Sequence, residues 1–396
     1  MAGALDGVRV LDLSRHLAGP YCAMMLGDLG AEVIKIERPG VGDESRHWGP
    51  PFFDGESAYY LCCNRNKQSL TLNLKHERGV ALAHELVRSS DVFIENFRVG
   101  VLDKLGLGYP QLQAINPRLV YCSVSGFGHT GPDRELGSYD FLIQGRSGLM
   151  SITGEPDGPP LKVGVAIADV AAGLFACSAV LSALFARERT GVGQHLDIAL
   201  YDSQVAVLAN LASNYLCSGE IPGRWGNAHK SIVPYQTFQA ADDYLILAIG
   251  NDAQWRQFCV AAGVAAWAQD SRFTTNPERV ANREALIPLL QELIRGKTVA
   301  EWLQLCAEAD VPAGPINAID KVFADPQVDA RGMLVEMPHP TIGTVRLAGT
   351  PLKLSATPAE MRLPPPLLGE HTDAILARLL ALDDRVIAEL HRDGVV

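Results

Sequence analysis

The chain has 396 residues, of which 47% are hydrophobic and 20% are charged, and this composition indicates one large or two ordinary globular domains. Its formal net charge of −11 argues against a protein that binds nucleic acid or an anionic membrane surface through a general positive charge. A polyanionic ligand would need a local group of basic residues.

The cysteines predict neither a disulfide framework nor a metal site. Eight are scattered along the chain, with no C-x-x-C pair and no Cys/His group at zinc spacing. We expect most of them to be buried free thiols in a reducing cytoplasm. The N-terminus lacks the pattern of a secretory signal, and the 17 uncharged residues of Val170–Ala186 are borderline for a membrane span, so a buried core helix is favoured.

Strands and helices alternate through the first 125 residues. The predicted strands are Val8–Leu13, Glu32–Glu37, Ser69–Leu74, Asp91–Glu95 and Arg118–Val124. The predicted helices are Tyr21–Leu29, His76–Arg88, Gly100–Leu105 and Pro110–Ile115. This alternation predicts an α/β fold with a large, doubly wound, Rossmann-like parallel sheet.

The second half predicts a long helix after Asp169, a strand entering a helix within Gly193–Asp202, and then a smaller α+β domain. The predicted organisation is a large domain over 1–205, a linker over 206–234, the small α+β domain over 235–325, and a return segment over 326–396 that completes the large domain.

Basic residues follow several of the predicted strands. Arg38 follows the second strand, Lys75 the third, and the run Asn96–Arg98 the fourth. Because the carboxyl ends of parallel strands meet at one edge, where such sheets bind ligands, these residues predict a site for a phosphorylated nucleotide. Phe97 or Ile36 could supply an apolar wall for the base. Each cation taken alone could equally be an ordinary solvated side chain.

The run Gly126–Gly131 matches G-x-G-x-x-G and follows a strand. The dinucleotide fingerprint must also open a helix within a βαβ unit. Here Pro132 and charged residues follow, so the pattern disfavours NAD binding.

Asp169 is the one acid between an apolar run that contains Gly164 and a long run of small residues. One interpretation is that it only caps the following helix. The other is that its carboxylate lies on a tight, apolar surface that a substrate can approach, where it could act as a nucleophile.

The segment Lys162–Gly173, with Asp169 followed four residues later by Gly173, resembles the catalytic segment of family III CoA-transferases, the formyl-CoA transferase group. Ser125–Pro132 and Gly193–Asp202 resemble recurrent segments of the same family, so the similarity covers nearly the whole chain. The resemblance implies CoA as a co-substrate, no tightly bound cofactor and an interlocked homodimer. It also implies that Asp169 attacks an acyl-CoA, and that CoA reaches a carboxylic acid through an aspartyl anhydride and an aspartyl–CoA thioester.

The resemblance also assigns the binding residues. The implied CoA contacts are Arg38, Lys75, Asn96, Phe97, Arg98 and Lys104. The implied substrate contacts are His16, Tyr139 and Gly250, the last in a loop that covers the site in the family. His16 could instead only cap its turn.

Two rival functions remain open from the sequence. An alpha-methylacyl-CoA racemase, a distant relative, pairs its Asp with a His in a Gly-His-Asp run, where this chain has Ser138-Tyr139-Asp140. Tyrosine is a poor base near neutral pH, which favours transfer, although His129 is a possible substitute. A CoA-binding protein without chemistry is the second rival, but it would have no need of a carboxylate beside the thioester.

Three residues near the first strands suggest the class of acid. Arg15, His16 and Arg46 could pair with a second carboxylate, which favours dicarboxylic acids such as succinate or a C4–C5 relative. An intramolecular shift of CoA between two carboxyl groups of one acid would look the same in sequence.

Overall fold

The computed structural model describes residues 3–396, which divide into two units. The first unit comprises the chain up to residue 149 together with 162–219 and 326–396. The second comprises 150–161 and 220–325. The observed division therefore differs from the predicted one at 150–161, which was expected in the large domain.

The strands, in chain order, are β1 Arg9–Asp12, β2 Glu32–Glu37, β3 Phe52–Phe53, β4 Glu56–Ser57, β5 Lys67–Thr71, β6 Val92–Glu95, β7 Val120–Ser125, β8 His195–Ala199, β9 Tyr235–Gln239, β10 Tyr244–Ala248, β11 Ala313–Pro315, β12 Leu334–His339 and β13 Gly343–Ala348. The α-helices are α1 Ala18–Asp28, α2 Ala58–Leu61, α3 Glu77–Arg88, α4 Val101–Lys104, α5 Tyr109–Ile115, α6 Asp140–Arg146, α7 Ile167–Thr190, α8 Leu200–Ala206, α9 Ala209–Ser218, α10 Asp252–Ala261, α11 Asn276–Ala281, α12 Arg283–Ile294, α13 Val299–Glu308, α14 Ile319–Phe323, α15 Pro326–Ala330, α16 Thr372–Leu380 and α17 Asp384–Arg392. Short 3-10 turns cover Glu44–His47, Leu149–Ile152 and Ala265–Gln269.

The first unit is built on a six-stranded sheet in the order β5-β2-β1-β6-β7-β8, and every pair in it is parallel. This confirms the predicted α/β class and the Rossmann-like parallel sheet.

Alternate residues of each strand enter two separate cores, as the pleat of a strand requires. Val10, Val33 and Val92 pack with α1 and α7 on one face. Leu11, Ile34 and Phe93 pack on the other face. The helices that cover this second face are α3, α5 and the C-terminal pair α16 and α17. The sheet is therefore covered on both faces, as parallel sheets usually are.

Three predicted elements differ from the structure. The third sheet strand is Lys67–Thr71, so Leu72 and Leu74 lie beyond its end. The first helix begins at Ala18 and contains Pro20, which its first turn tolerates because the N–H groups there need no helical partner. The segment predicted as a linker carries helix α9, and its loop part begins only at Gly219.

The second unit contains an antiparallel sheet in the order β11-β10-β9. Trp255 and Trp302 are fully buried in its core with Phe258. The helices α10, α12 and α13 supply these three side chains together with Cys259, Leu286, Leu290, Ile294 and Cys306.

Helix α7 has the length and apolar composition of a membrane span, and half of its most apolar window is buried within the protein. Ala168, Ala172 and Ala176 of this helix belong to the first core. The absence of a membrane partner stays a prediction.

Candidate active site

A cavity of about 780 Å³ opens at the carboxyl ends of β1, β2 and β5. Its volume lies within the roughly 300–1,000 Å³ that is usual for small-molecule sites. Apolar walls are supplied by Leu13, Ile36, Leu72 and Phe97. The position at the strand ends is where open parallel sheets bind their ligands.

Three cations surround this cavity. Arg38, Lys75 and Lys104 all line it, and all three are exposed. Within residues 3–396, none of the three side chains takes part in an ion pair. Unpaired cations around an apolar cavity, in a chain of net charge −11, form the local basic group that a phosphorylated nucleotide requires. Phe97 lines the same cavity, so the structure brings together four of the six residues predicted to contact CoA.

The other two predicted contacts lie elsewhere. Asn96 forms two hydrogen bonds with the backbone of Arg15, accepting its N–H at 2.8 Å and donating to its carbonyl at 2.7 Å. Its side chain therefore fixes the loop after β1. The Arg98 guanidinium lies over Gly137 and lines a separate cavity of about 230 Å³. The CoA-binding roles of Asn96 and Arg98 stay predictions, but neither residue lines the larger cavity.

Asp169 is the third residue of α7. The residue at the N-cap position is Ala166, so Asp169 does not cap its own helix. Its carboxylate instead accepts the backbone N–H of Ala18, the first residue of α1. Burial, aided by the negative charge of Asp140, raises the pKa of Asp169 to about 7 despite that hydrogen bond.

The surroundings of Asp169 are apolar. Leu17, Tyr59, Ala166 and Val170 pack together beside the start of α7. Burial, and next the negative charge of Asp169, raises the pKa of Tyr59 far above its ordinary value, so its hydroxyl stays protonated and can donate. A carboxylate in such surroundings is suited to chemistry from which water must be excluded.

The loop Ser14–Ala18 connects the cavity with Asp169. Ser14 and Arg15 line the cavity, and Ala18 meets the carboxylate. One end of this loop therefore lies at the cavity and the other at Asp169.

Asp140 and Gln144 hold the approach to α7, a role that the sequence analysis missed. Asp140 Oδ1 accepts the N–H of Ala168 at 2.9 Å, and Gln144 Oε1 accepts the N–H of Val163 at 2.8 Å. Gln144 also donates to Asp140 Oδ2 at 2.8 Å. The signal in the sequence is the i, i+4 spacing of Asp140 and Gln144, which places both on one face of α6.

His16 lies in a group of aromatic rings that includes Tyr59, whose pKa responds to the charge of Asp169. The His16 ring stacks on Trp48, with 4.9 Å between ring centres, and lies 6.4 Å from the ring of Tyr139. Trp48 in turn meets Tyr59 edge to face at 5.0 Å. Burial lowers the pKa of His16, so its ring is neutral at neutral pH and could bind a carboxylate only as a hydrogen-bond donor. Sequence reasoning predicted His16 and Tyr139 but missed Trp48 and Tyr59.

The backbone of His16 is held in a strained conformation, with φ of 69°. Its N–H donates to the carboxylate of Asp43, at 3.2 and 3.3 Å from the two oxygens. Asp43 is buried and pairs with Lys35 at 2.9 Å, and Lys35 also donates to the carbonyl of Ser14 at 2.8 Å. This buried pair therefore fixes the loop on which His16 is presented.

Arg46 was expected to be available for a substrate carboxylate, and this expectation is wrong. The guanidinium is buried and forms a bidentate ion pair with Glu37, both bonds at 2.7 Å, and it donates to the hydroxyl of Tyr60. Its Nε and Nη2 groups donate within the protein and its Nη1 lies 3.9 Å from Glu56, so this buried guanidinium supports β2.

Gly250 belongs to the second unit, where its N–H donates to Gln254 Oε1 at 2.9 Å just before α10. Its predicted contact with substrate is not tested. Within residues 3–396 no group of three or more His, Cys, Asp or Glu residues could hold a metal ion. The Gly126–Gly131 run is followed by turns, and the next helix begins only at Asp140.

The fold and site combine a cation-lined cavity at the strand ends of a parallel sheet with a partly buried carboxylate of raised pKa. The model of CoA-transferase family III matches residues 5–372, and the chain belongs to this family of enzymes. CoA is therefore the co-substrate of its reaction.

Similar proteins cover nearly the whole chain. The chain is 46% identical to the Homo sapiens succinyl-CoA:glutarate CoA-transferase over 99% of its own length and 90% of the relative. It is 47% identical to a succinate–glutarate CoA-transferase of Agrobacterium fabrum (strain C58), with 96% of each protein covered. The crystal structure of a CAIB/BAIF family protein from Brucella suis superposes with a TM-score of 0.87 at 48% identity, covering 96% of this chain and 100% of that one.

Proposed function

We propose that this CoA-transferase moves CoA from succinyl-CoA to a C4–C5 dicarboxylic acid, with glutarate as the first candidate, and that Asp169 is the covalent nucleophile. The observation that carries the mechanism is the Asp169 carboxylate itself, which lies in apolar surroundings at the end of the loop that leads from the nucleotide cavity. The substrate class is supported by the two relatives above, which are named for succinate and glutarate and share close to half of their residues with this chain.

In the first half of the reaction, ionised Asp169 attacks the thioester carbonyl. The carbon–sulfur bond breaks, and the products are an acyl–aspartyl anhydride and the CoA thiolate. The thiolate then attacks the aspartyl carbonyl, which releases the donor acid as a carboxylate and leaves CoA on Asp169 as a thioester. Acyl activation is kept at each step because both intermediates are energy-rich, whereas a serine nucleophile would form a stable ester.

The second half reverses these steps with the acceptor acid. Its carboxylate attacks the aspartyl–CoA carbonyl, CoA leaves as a thiolate, and a new mixed anhydride forms. The thiolate then attacks the acceptor's carbonyl, which yields the new CoA ester and regenerates Asp169. Water must be kept from both intermediates, and the packing of Leu17, Tyr59 and Val170 beside Asp169 serves that purpose.

Because Arg46 is buried in an ion pair, Arg15 and His16 are the residues that could bind the second carboxylate of the acid. Arg15 lines the cavity, pairs with Glu44 at 2.8 Å and lies over the ring of Phe97. His16 lies 3.7 Å from the same Glu44 carboxylate. We assign the second carboxylate of the acid to His16 and Arg15. On binding, this carboxylate displaces Glu44 from Arg15.

The test is an assay of succinyl-, acetyl-, formyl- and mesaconyl-CoA against a panel of mono- and dicarboxylic acids, with products read by mass. Succinyl-CoA with glutarate should give glutaryl-CoA and free succinate, and monocarboxylic acids of similar length should be poor acceptors. Equal use of mono- and dicarboxylic acids would contradict the substrate class. If CoA moves from one carboxyl group to the other of the same labelled acid, with no acceptor acid added, the reaction is the intramolecular shift.

We also propose an interlocked homodimer, with an exposed apolar surface as its support. Helix α9 has no buried residue, and its Leu216 is 79% exposed. On α7, Leu174, Phe175 and Phe185 are exposed as well. A second copy of the chain would cover these side chains. Light scattering should give twice the chain mass of 42.7 kDa, and a monomer at micromolar concentration would contradict the proposal.

A further inference from the structure

Glu95 is a buried carboxyl group beside the wall of the nucleotide cavity, and the reaction above does not use it. It is the last residue of β6 and only 4% exposed. Its Oε2 accepts the backbone N–H of Phe97 at 2.8 Å. Phe97 lines the cavity, and the Arg15 guanidinium lies 4.6 Å from the centre of its ring. Glu95 thus holds the turn that presents this ring to a ligand.

Glu95 is itself held by polar groups on the next two strands. It is the register partner of Ser123 on β7, and the Ser123 hydroxyl donates to it. Ser123 Oγ also lies 2.9 Å from Nε2 of His195 at the start of β8. While Glu95 is ionised it can only accept from the Ser123 hydroxyl, and Ser123 Oγ then accepts from Nε2–H of His195. The chain of hydrogen bonds runs from His195 through Ser123 and Glu95 to Phe97.

The far end of this chain lies at the cavity of about 230 Å³, which Glu95 and His195 both line. The short helix α4 separates the two cavities. Its Val101 and Lys104 line the larger cavity, whereas Asp103 lines the smaller one. Glu95 and Asp103 therefore share the smaller cavity, whereas Phe97 and Lys104 line the larger one.

We propose that Glu95, held by Ser123 and His195, is a positioning residue for CoA: it sets Phe97 and the start of α4 in the geometry that binds the nucleotide, and its negative charge tightens that binding. The proposal rests on the proposed function, because it requires CoA in the larger cavity.

The charge of Glu95 changes near neutral pH. Burial raises the pKa of Glu95 to about 7, against the lowering effect of the hydrogen bonds from Ser123 and Phe97. The titratable and charged groups that face it or share its cavity are Asp103 beside it on α4, Tyr121 and Cys122 on β7, His195 and Asp197 on β8, and His129 and Arg98 on the adjoining loops. Burial lowers the pKa of His195, so that ring stays neutral above pH 6.5.

The sign of the pH effect follows from the hydrogen bond to Phe97. Ionised Glu95 is a charge-assisted acceptor, and such a bond is roughly twice as strong as a neutral one. The turn at Phe97 is therefore held more firmly above pH 7 than below it. CoA affinity should rise as the pH rises through about 7 for this reason.

The test measures the Kd of CoA itself by titration calorimetry with the full chain between pH 6 and pH 8. Every protein carries Asp169→Asn, which removes both acyl transfer and the titration of Asp169. Glu95→Gln keeps the shape and the acceptor for Phe97 N–H but cannot ionise. It should bind CoA within about 2-fold of the parent at pH 6 and about 5-fold more weakly at pH 8. Comparing the two proteins at each pH cancels the titration of the CoA phosphates.

Glu95→Ala should bind about 3-fold more weakly than the parent at pH 6 and about 10-fold more weakly at pH 8, and Ser123→Ala about 3-fold more weakly at pH 8. With Asp169 intact, both single changes should raise KM for the CoA ester and leave kcat nearly unchanged. Circular dichroism checks the fold. If Glu95→Ala does not fold, Glu95→Gln alone decides.

If the ratio of the Kd of CoA for Glu95→Gln to that for the parent is constant from pH 6 to pH 8, the proposal is overturned. A Kd within 2-fold of the parent in folded Ser123→Ala and Glu95→Ala overturns it as well. In these cases the proposed function stands, because the parent still binds CoA. No CoA binding by the parent would instead contradict the nucleotide site itself.

Discussion

The raised pKa of Asp169 predicts that its replacement by asparagine stabilises the protein at neutral pH while abolishing transfer. A carboxyl group whose folded pKa exceeds its unfolded value binds protons more tightly in the folded state. The contribution of Asp169 to the free energy of unfolding is therefore fully present below its unfolded pKa of 3.8. This contribution is lost as the pH rises through the folded pKa of about 7. Asparagine keeps an oxygen for the Ala18 N–H but has no charge to bury.

The size of the effect follows from the two pKa values. At about 1.4 kcal/mol for each tenfold change in proton affinity, a folded pKa of about 7 against 3.8 corresponds to at most about 4 kcal/mol. Part of the Asp169 surface is open to solvent, which screens the charge and reduces the expected value to about 2–3 kcal/mol at pH 8. At pH 4 the two proteins should be nearly equal.

The assay is thermal unfolding by calorimetry of wild type and Asp169→Asn from pH 4 to pH 8. With about 2 °C per kcal/mol for a unit of this size, the variant should melt about 4–6 °C higher at pH 8 and within about 1 °C at pH 4. Glu135→Gln, which changes an exposed carboxylate of the same unit, is the control and should show no such trend. A variant that melts at or below wild type at pH 8 would refute a raised pKa at Asp169.

Further predictions concern binding, pH and stereochemistry. Arg38→Ala and Lys75→Ala should raise KM for the CoA ester about 10-fold with little change in kcat, because they remove phosphate contacts that persist through the reaction. Arg98→Ala is the matched comparison, because Arg98 does not line the larger cavity. Equal effects on KM in all three variants would place the phosphates elsewhere. The value of kcat/KM should rise with pH through about 7 as Asp169 ionises, and a profile that is flat from pH 5.5 to 8 would show that ionisation is not required. With a 2-methylacyl-CoA in deuterated water, the alpha carbon should gain no deuterium; exchange that is lost on changing Asp169 or His129 would support the racemase alternative. His16→Ala should raise KM for the dicarboxylic acid more than KM for the CoA ester, and the reverse order would remove His16 from the acid site.

The sheet was predictable because its evidence is local. Strands with buried β-branched residues, such as Glu32–Glu37, alternate with amphipathic helices such as Glu77–Arg88, and a parallel sheet follows from that alternation. The basic edge was predictable for the same reason, since Arg38 and Lys75 follow strands directly and parallel strands end at one edge.

The direction of individual side chains was less predictable. Asn96, Phe97 and Arg98 are consecutive, yet Asn96 holds a loop, Phe97 lines the larger cavity and Arg98 lines the smaller one. Their separation depends on the turn after β6, which the hydrogen bond from Phe97 to Glu95 fixes. A spacing rule along the sequence contains no information on that bond.

Arg46 shows the same limit at long range. Its partners are Glu37 and Tyr60, and it also donates to the carbonyl of Pro366 at 3.1 Å, from the C-terminal segment. Only the folded chain brings these groups together, so the sequence could suggest a free cation where the structure has a buried ion pair. Trp48 and Tyr59 were missed for a similar reason, because they follow no strand and reach the site through the 3-10 turn at Glu44–His47 and helix α2.

The central claim is that Asp169 becomes covalently acylated, and trapping that intermediate tests it most directly. Wild-type protein is incubated with succinyl-CoA and no acceptor acid, treated with hydroxylamine, and digested with trypsin. The anhydride or the aspartyl–CoA thioester should yield a hydroxamate within residues 163–187, in which Asp169 is the single acid before Glu188. Asp169→Asn should bind CoA and show no hydroxamate. A hydroxamate on another carboxylate, or near wild-type transfer by Asp169→Asn, would contradict the account.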